Sequence, residues 1–149
     1  MIIRKATKTD ISPSLNIAKE LNEWFTKEAI KNMKIDFSIN NLIIATEKKE
    51  IFGFLCYSSY NSIMQLIWMG IKKDSQRKGI GKTLLKWLVK EAKKKRLRTI
   101  EVETLPDEIN YEPYNLTRSF YYKNGFKRVA YKKARIKGWD DQILLEKVI

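Results

Sequence analysis

Histidine is absent from the chain, and cysteine occurs once, as Cys56. Without histidine there is no serine–histidine or cysteine–histidine nucleophilic machinery and no histidine-ligated zinc, and no metal site is expected. Any proton transfer falls to Glu, Asp, Tyr, Lys or water. A lone cysteine cannot close an internal disulfide, and Cys56 lies in the apolar run "IFGFLCY", the setting of a small core residue rather than a reactive thiol. There is no Pro/Gly/Ser-rich linker, no internal repeat and no low-complexity tract beyond the basic run Lys93–Arg96. No apolar run approaches the ~18 residues of a membrane span. The opening "MIIRKATKTD" lacks the apolar core of a secretory signal. These absences point to a cytoplasmic protein with no membrane partner.

What remains is an ordinary globular composition. The 149 residues suit one domain, 1–149, and a fold of that size buries about 70% of its unfolded surface. Hydrophobic residues make up 44% and charged residues 32%, which excludes a disordered chain. Thirty Lys and Arg against 17 Asp and Glu give a net charge of +13, so a polyanion or a phosphorylated cofactor is a natural partner.

Periodicity supplies a coarse map. "MIIRKAT" reads as a strand, followed by a helix capped by Thr9 or Asp10 with Ile11, Leu15, Ala18, Leu21 and Phe25 at helical spacing, and a second helical stretch to about Met33. "NLIIATE", "IFGFLCYSS" and "IMQLIWMGI" read as strands, with Gly70 a bulge or a point of close approach. A long amphipathic helix covers about 80–96. "TIEVET" alternates, placing Thr99, Glu101 and Glu103 on one side and Ile100 and Val102 on the other. A shorter helix near 115–124 stops at Asn124-Gly125, and two strands, "FKRVAYKKA" and "DQILLEKVI", close the chain. This order predicts an α/β fold with a mixed, mostly antiparallel sheet flanked by helices.

The segment "SQRKGIGKT" invites a nucleotide-triphosphate reading, since Gly81-Lys82-Thr83 supplies the G-K-T end of such a loop. The first glycine of that motif would fall at position 76, which is Gln76, and the tight turn it makes is lost. The phosphate-binding physics survives. Gly79 and Gly81 let a ligand approach the backbone, the helix N-terminus offers free N–H groups, and Gln76, Arg77, Lys78 and Lys82 surround them.

A strand, then "QRKGIG", then a long amphipathic helix resembles the Gcn5-related N-acetyltransferase (GNAT) family, whose signature is Q/R-x-x-G-x-G/A. Further on, "TRSFYYKNGF" resembles that family's second signature, and "TIEVET" lies between the two. The resemblance spans nearly the whole chain and implies a single-domain GNAT-like acyl-CoA N-acyltransferase fold. It implies acetyl-CoA as acetyl donor and direct attack by a primary amine through a tetrahedral intermediate. Backbone N–H groups of Gln76, Arg77, Lys78, Gly79, Ile80, Gly81 and Lys82 would then hold the pyrophosphate. Met69 and Ile71 would pair with the pantetheine arm, with Gly70 supplying the bulge that frees them.

Under the same resemblance Tyr121 matches the general acid and Glu103 is the chosen base, with Glu101 or water as rivals. Many members carry an asparagine seven residues before the motif tyrosine; here Tyr114 stands there and Asn115 follows, so Asn115 is the candidate cofactor contact. The acids Glu101, Glu103, Asp107, Glu108 and Glu112 would flank a cationic acceptor, with Trp24, Phe25, Tyr60, Trp139 and Tyr111 as aromatic wall. The acceptor, a small-molecule or peptide amine, is not named by the sequence, nor is a homodimer decided. Two alternatives remain. One is a basic nucleic-acid-binding module using Lys93–Arg96, Lys132, Lys133, Arg135 and Lys137; the other is a non-catalytic acyl-CoA sensor.

Overall fold

Each central strand carries apolar side chains on both faces, so the sheet must be covered on both sides. In the computed structural model, which describes residues 1–149, the sheet is a central layer between two pairs of helices. The strands are β1 (Ile2–Lys5), β2 (Asn41–Glu47), β3 (Glu50–Tyr60), β4 (Ile63–Ile71), β5 (Thr99–Thr104), β6 (Lys127–Lys132) and β7 (Gln142–Val148). The helices are α1 (Lys8–Glu20), α2 (Lys27–Ile39), α3 (Ile80–Lys94) and α4 (Glu112–Lys123). The strand order is β1-β2-β3-β4-β5-β7-β6. Only β4 and β5 run parallel, because the long crossover through α3 separates them.

Two apolar clusters follow from the period-2 alternation. Ile43 and Leu55 join Leu84, Leu88, Ile100, Val102, Tyr121 and Leu145 under α3 and α4. Leu42, Ile44, Phe54 and Cys56 point the other way, onto Leu15, Ala18, Met33 and Phe37 of α1 and α2. Cys56 is fully buried there, and burial pushes its thiol up to about 12, which keeps it inert.

Three boundaries differ from the sequence reading. The residue capping α1 is Thr7, not Thr9 or Asp10, and Asp10 sits at the third helical position. Its carboxylate accepts the Thr7 N–H at 2.7 Å and the Thr7 hydroxyl at 3.0 Å, and pairs with Arg4 at 2.8 Å. The second helix runs past Met33 to Ile39, because Met33 and Phe37, one turn apart, both reach the core. The last helix begins at Glu112, with Pro113 in its first turn.

Candidate active site

The parallel ladder between β4 and β5 lasts only from Ile63↔Thr99 to Leu66↔Val102. Beyond it the strands separate, and the edge of β4 that faces β5 is left without a partner. The pairing of β4 with β3 slips at the same place: Tyr57 faces Leu66 and Cys56 faces Trp68, so Ile67 is an extra residue. The bulge therefore lies at Ile67, not at Gly70. It turns two consecutive side chains, Ile67 and Trp68, toward the α1/α2 cluster and returns Met69 and Ile71 to the α3/α4 side. Gly70 pairs regularly with Phe54, and its role is close approach: a Cβ there would come within 2.6 Å of the Phe54 ring and 3.2 Å of Leu21.

Lys72 N–H bonds Phe52 on β3 at 2.8 Å. Strand alternation then turns the backbone groups of Ile71 and Met69 to the opposite edge, into the gap. The Ile71 carbonyl already accepts the Gln76 side-chain amide at 3.1 Å, so this side chain anchors the loop to the strand. The Gln76 N–H is also engaged, with Lys73 O at 3.4 Å.

The unpaired donors begin at the next residue. Backbone N–H groups of Arg77, Lys78 and Gly79 donate to no backbone carbonyl. Those of Ile80, Gly81 and Lys82 are the first turn of α3, whose first helical bond is Thr83 N to Gly79 O at 3.0 Å. Arg77 at φ 62° and Gly79 at φ 84° fold the loop into a concave run of donors at the positive end of the helix dipole. The two glycines differ in purpose. Gly79 has open space where a Cβ would be and is required for its left-handed backbone. Gly81 would bring a Cβ to 3.3 Å from Phe120 and is required by the approach of α4.

Loop, gap and helices border one cleft of about 2480 Å³, larger than the ~300–1,000 Å³ of a single small-ligand pocket. Met69, Ile71, Gln76, Arg77, Gly79, Ile80, Gly81, Lys82, Glu103 and Tyr121 all border it; Lys78 and Asn115 do not. Asn115 is held on the outer side of α4, where its amide donates to Asn110 at 2.8 Å and its oxygen accepts from buried Arg118. The one-residue shift from Tyr114 thus removes the asparagine from the cleft, and Tyr114 takes its place on the wall.

Tyr121 is 4% exposed, with its ring edge-on to Phe120 and Phe126 at 5.4 and 5.2 Å. The Tyr121 ring is part of the core, while its hydroxyl has no protein partner and belongs to a residue bordering the cleft. Burial, aided by the nearby Tyr114, pushes the phenol well above its ordinary range, so it stays protonated. On the far side of the gap, Glu101 and Glu103 share the β5 face opposite Ile100 and Val102, as the alternation predicted. Glu103 is paired with Lys132 Nζ at 2.5 Å.

The acidic group foreseen around the acceptor is divided. Asp107 and Glu108 do not border the cleft; they bind Arg118 and Arg128 behind α4. Glu112 is also outside it, and Tyr60 is 70% exposed at the end of β3, away from the cleft. Trp24, Phe25, Tyr111 and Trp139 do line it. Residues the sequence reading missed stand beside them. Asp36 of α2 accepts the Trp68 indole N–H at 2.7 Å, with both side chains on the wall. Trp68 was concealed by the bulge that reverses its direction.

The Acetyltransferase (GNAT) domain family matches residues 38–128, more than half of the chain. The protein belongs to that family. No curated protein sequence matches the chain significantly. Among solved structures, a protein of Desulfovibrio desulfuricans assigned to the GNAT acetyltransferases is 23% identical, with TM-score 0.84 over 99% of this chain and 98% of that one. The PaiA N-acetyltransferase of Thermoplasma acidophilum, crystallised with coenzyme A, is 22% identical, with TM-score 0.77 over 99% and 98%. A ribosomal-protein-alanine N-acetyltransferase of Brucella melitensis is 18% identical, with TM-score 0.73 over the full length of both. These likenesses establish a shared GNAT fold, with seven strands and four helices in the present chain. No helix is long and apolar enough to cross a membrane.

Proposed function

We propose that this GNAT-fold protein moves an acetyl group from acetyl-CoA to a primary amine of a small molecule or a peptide. One conjunction carries the reading: unpaired backbone N–H groups of Arg77, Gly79, Ile80, Gly81 and Lys82 belong to residues bordering the same cleft as Tyr121, whose ring is buried and whose hydroxyl has no protein partner. The PaiA relative with bound coenzyme A supports it by fold.

N–H groups of Arg77, Gly79, Ile80, Gly81 and Lys82 would hold the pyrophosphate, with the guanidinium of Arg77 and the ammonium of Lys82 adding charge. The exposed edge of β4 at Met69 and Ile71 would pair with the amide groups of the pantetheine arm. The bound donor would supply a thioester carbon to the gap between β4 and β5. A Met69 N–H directed there would stabilise charge developing on the thioester oxygen, an effect of ~3–4 kcal/mol at comparable sites. Glu103 would take the proton of the incoming ammonium, directly or through water. Tyr121 would give its proton to the departing sulfur; the burial that disfavours a phenolate also disfavours a thiolate, so the two are matched.

The direct test is thermal unfolding at fixed ionic strength with acetyl-CoA, ATP and a short polynucleotide in separate samples. Saturation at ~100 times the dissociation constant adds ~2.7 kcal/mol of stability. A shift with acetyl-CoA, followed by thiol release with a panel of amines, supports the reading. A shift with polynucleotide alone overturns it.

A further inference from the structure

The strand register brings one lysine of the chain to the place reserved for an acceptor amine. Leu144 of β7 lies opposite Glu103 on one side and Ala130 on the other, so these three residues share a face of the sheet. Lys132, two residues beyond Ala130, points to that face too. Its Nζ rests 2.5 Å from Glu103 Oε1, and both residues border the cleft. Glu103 is the first β5 residue beyond the last β4–β5 pair, Leu66↔Val102, at the point where the gap opens. Lys82, Lys123 and Lys133 also border the cleft, yet Lys132 is the one among them whose ammonium is ion-paired. Its side chain is 51% exposed, so the stem is free to move.

We infer that Lys132 is a self-acetylation site, the chain's own amine acting as acceptor in its own cleft. This rests on the acetyl-transfer reading above. Glu103 accepts one proton from the Lys132 ammonium. The freed Nζ lone pair forms the N–C bond to the acetyl carbon as the C–S bond breaks. Tyr121 protonates the departing sulfur and recovers a proton, by way of water, from the new amide nitrogen. Acetyl-CoA and the lysine ammonium thus become coenzyme A and acetyl-lysine, with one proton released to solvent from Glu103. Acetyl-lysine carries no charge, so the Glu103 pair is dissolved and the carboxylate becomes free for an external amine.

The test is the intact mass of the purified full chain incubated with acetyl-CoA, followed by peptide mapping, with coenzyme A stabilisation and amine-dependent thiol release measured in parallel. The expected result is one acetyl group per chain, located on Lys132. Its first-order rate constant is unchanged on dilution of the protein, as an intramolecular step requires. Lys132→Arg removes the label, and Glu103→Gln slows it ~100-fold or more while coenzyme A still stabilises the variant. Label spread over exposed lysines such as Lys93, Lys94 and Lys95, or equal labelling in Tyr121→Phe, indicates chemical acetylation and overturns the inference. If coenzyme A binds and amines turn over but Lys132 stays unlabelled, this inference fails alone; if coenzyme A does not bind, the acetyl-transfer reading fails with it.

Discussion

The hydroxyl of Tyr114 donates to the carbonyl of Trp24 at 2.7 Å, and the Trp24 indole N–H returns to α4 through Pro113 O at 3.0 Å and Thr117 Oγ1 at 3.1 Å. Tyr111 adds a bond to Glu23 O at 2.7 Å. The turn between α1 and α2 is thereby strapped to the first turns of α4, the helix that carries Tyr121. Tyr114→Phe leaves the Trp24 carbonyl without this partner and is expected to destabilise the fold by about 1–3 kcal/mol. Trp24→Phe should cost less, because Thr117 Oγ1 already donates to Pro113 O at 3.1 Å. Urea midpoints of the two variants and of the double variant check this, and the double should be less than additive.

Tyr121→Phe removes a hydroxyl that no protein group uses. Stability and coenzyme A affinity should therefore be almost unchanged, while kcat falls by ~100-fold or more. Because burial raises the phenol's pKa, Tyr121 remains an acid across the neutral and mildly alkaline range, and no loss of activity from its ionisation is expected there. A kcat–pH profile of the two proteins is the check. Equal kcat values would remove Tyr121 from the chemistry.

The glycines of the 76–82 loop separate by substitution. Gly79→Ala forces a β-carbon into a left-handed backbone and should destabilise the protein by about 1–2 kcal/mol; Gly79→Asn should recover part of that loss. Gly81→Ala meets the Phe120 ring at 3.3 Å instead, so no asparagine rescue is expected at that position. Thermal unfolding and coenzyme A titration of the three variants distinguish backbone strain from helix displacement.

Asp10 predicts an acid limb of stability. Its hydrogen bond with Arg4, and those from Thr7, lower the carboxyl to about 2. A depressed carboxyl contributes stability that is fully present above its unfolded pKa of ~3.9 and is lost as pH falls toward 2. Asp10→Asn should lower stability at neutral pH by about 1–3 kcal/mol, through the loss of charge-assisted hydrogen bonds, and flatten this limb in urea unfolding between about pH 5 and 2.

Local signals were legible and non-local ones were not. "QRKGIG" and "FYYKNGF" announced the loop and α4, and the alternation of "TIEVET" placed Glu101 and Glu103 correctly on one face. Gly70 reads from the sequence as a bulge or a close approach; it is the close approach, and a glycine alone does not locate the bulge. The bulge lies at Ile67, an ordinary β-branched residue, where the slip is fixed by Trp68 reaching Asp36 on another element. The acids of "PDE" looked like part of the acceptor wall from their nearness to Glu103 in sequence. Their direction is set instead by Arg118 and Arg128, which come from later elements. Lys132 stands 29 residues from Glu103, and only the placement of β7 between their strands brings them together.

The four-residue ladder of β4 and β5 makes the molecule two half-sheets sewn by a short seam: β1 to β4 on one side, β5, β7 and β6 on the other. Beyond the seam the facing edges of β4 and β5 are unpaired; the ladder bonds join the halves at one end, and the Trp24 strap ties the α1–α2 turn to α4. A ligand with amide groups along its length would act there as a missing strand. The amides of Met69 and Ile71 should then exchange with solvent freely in the empty protein and become protected on coenzyme A binding. Such a ligand would lengthen, from within the cleft, a seam that the protein itself ends at Leu66 and Val102.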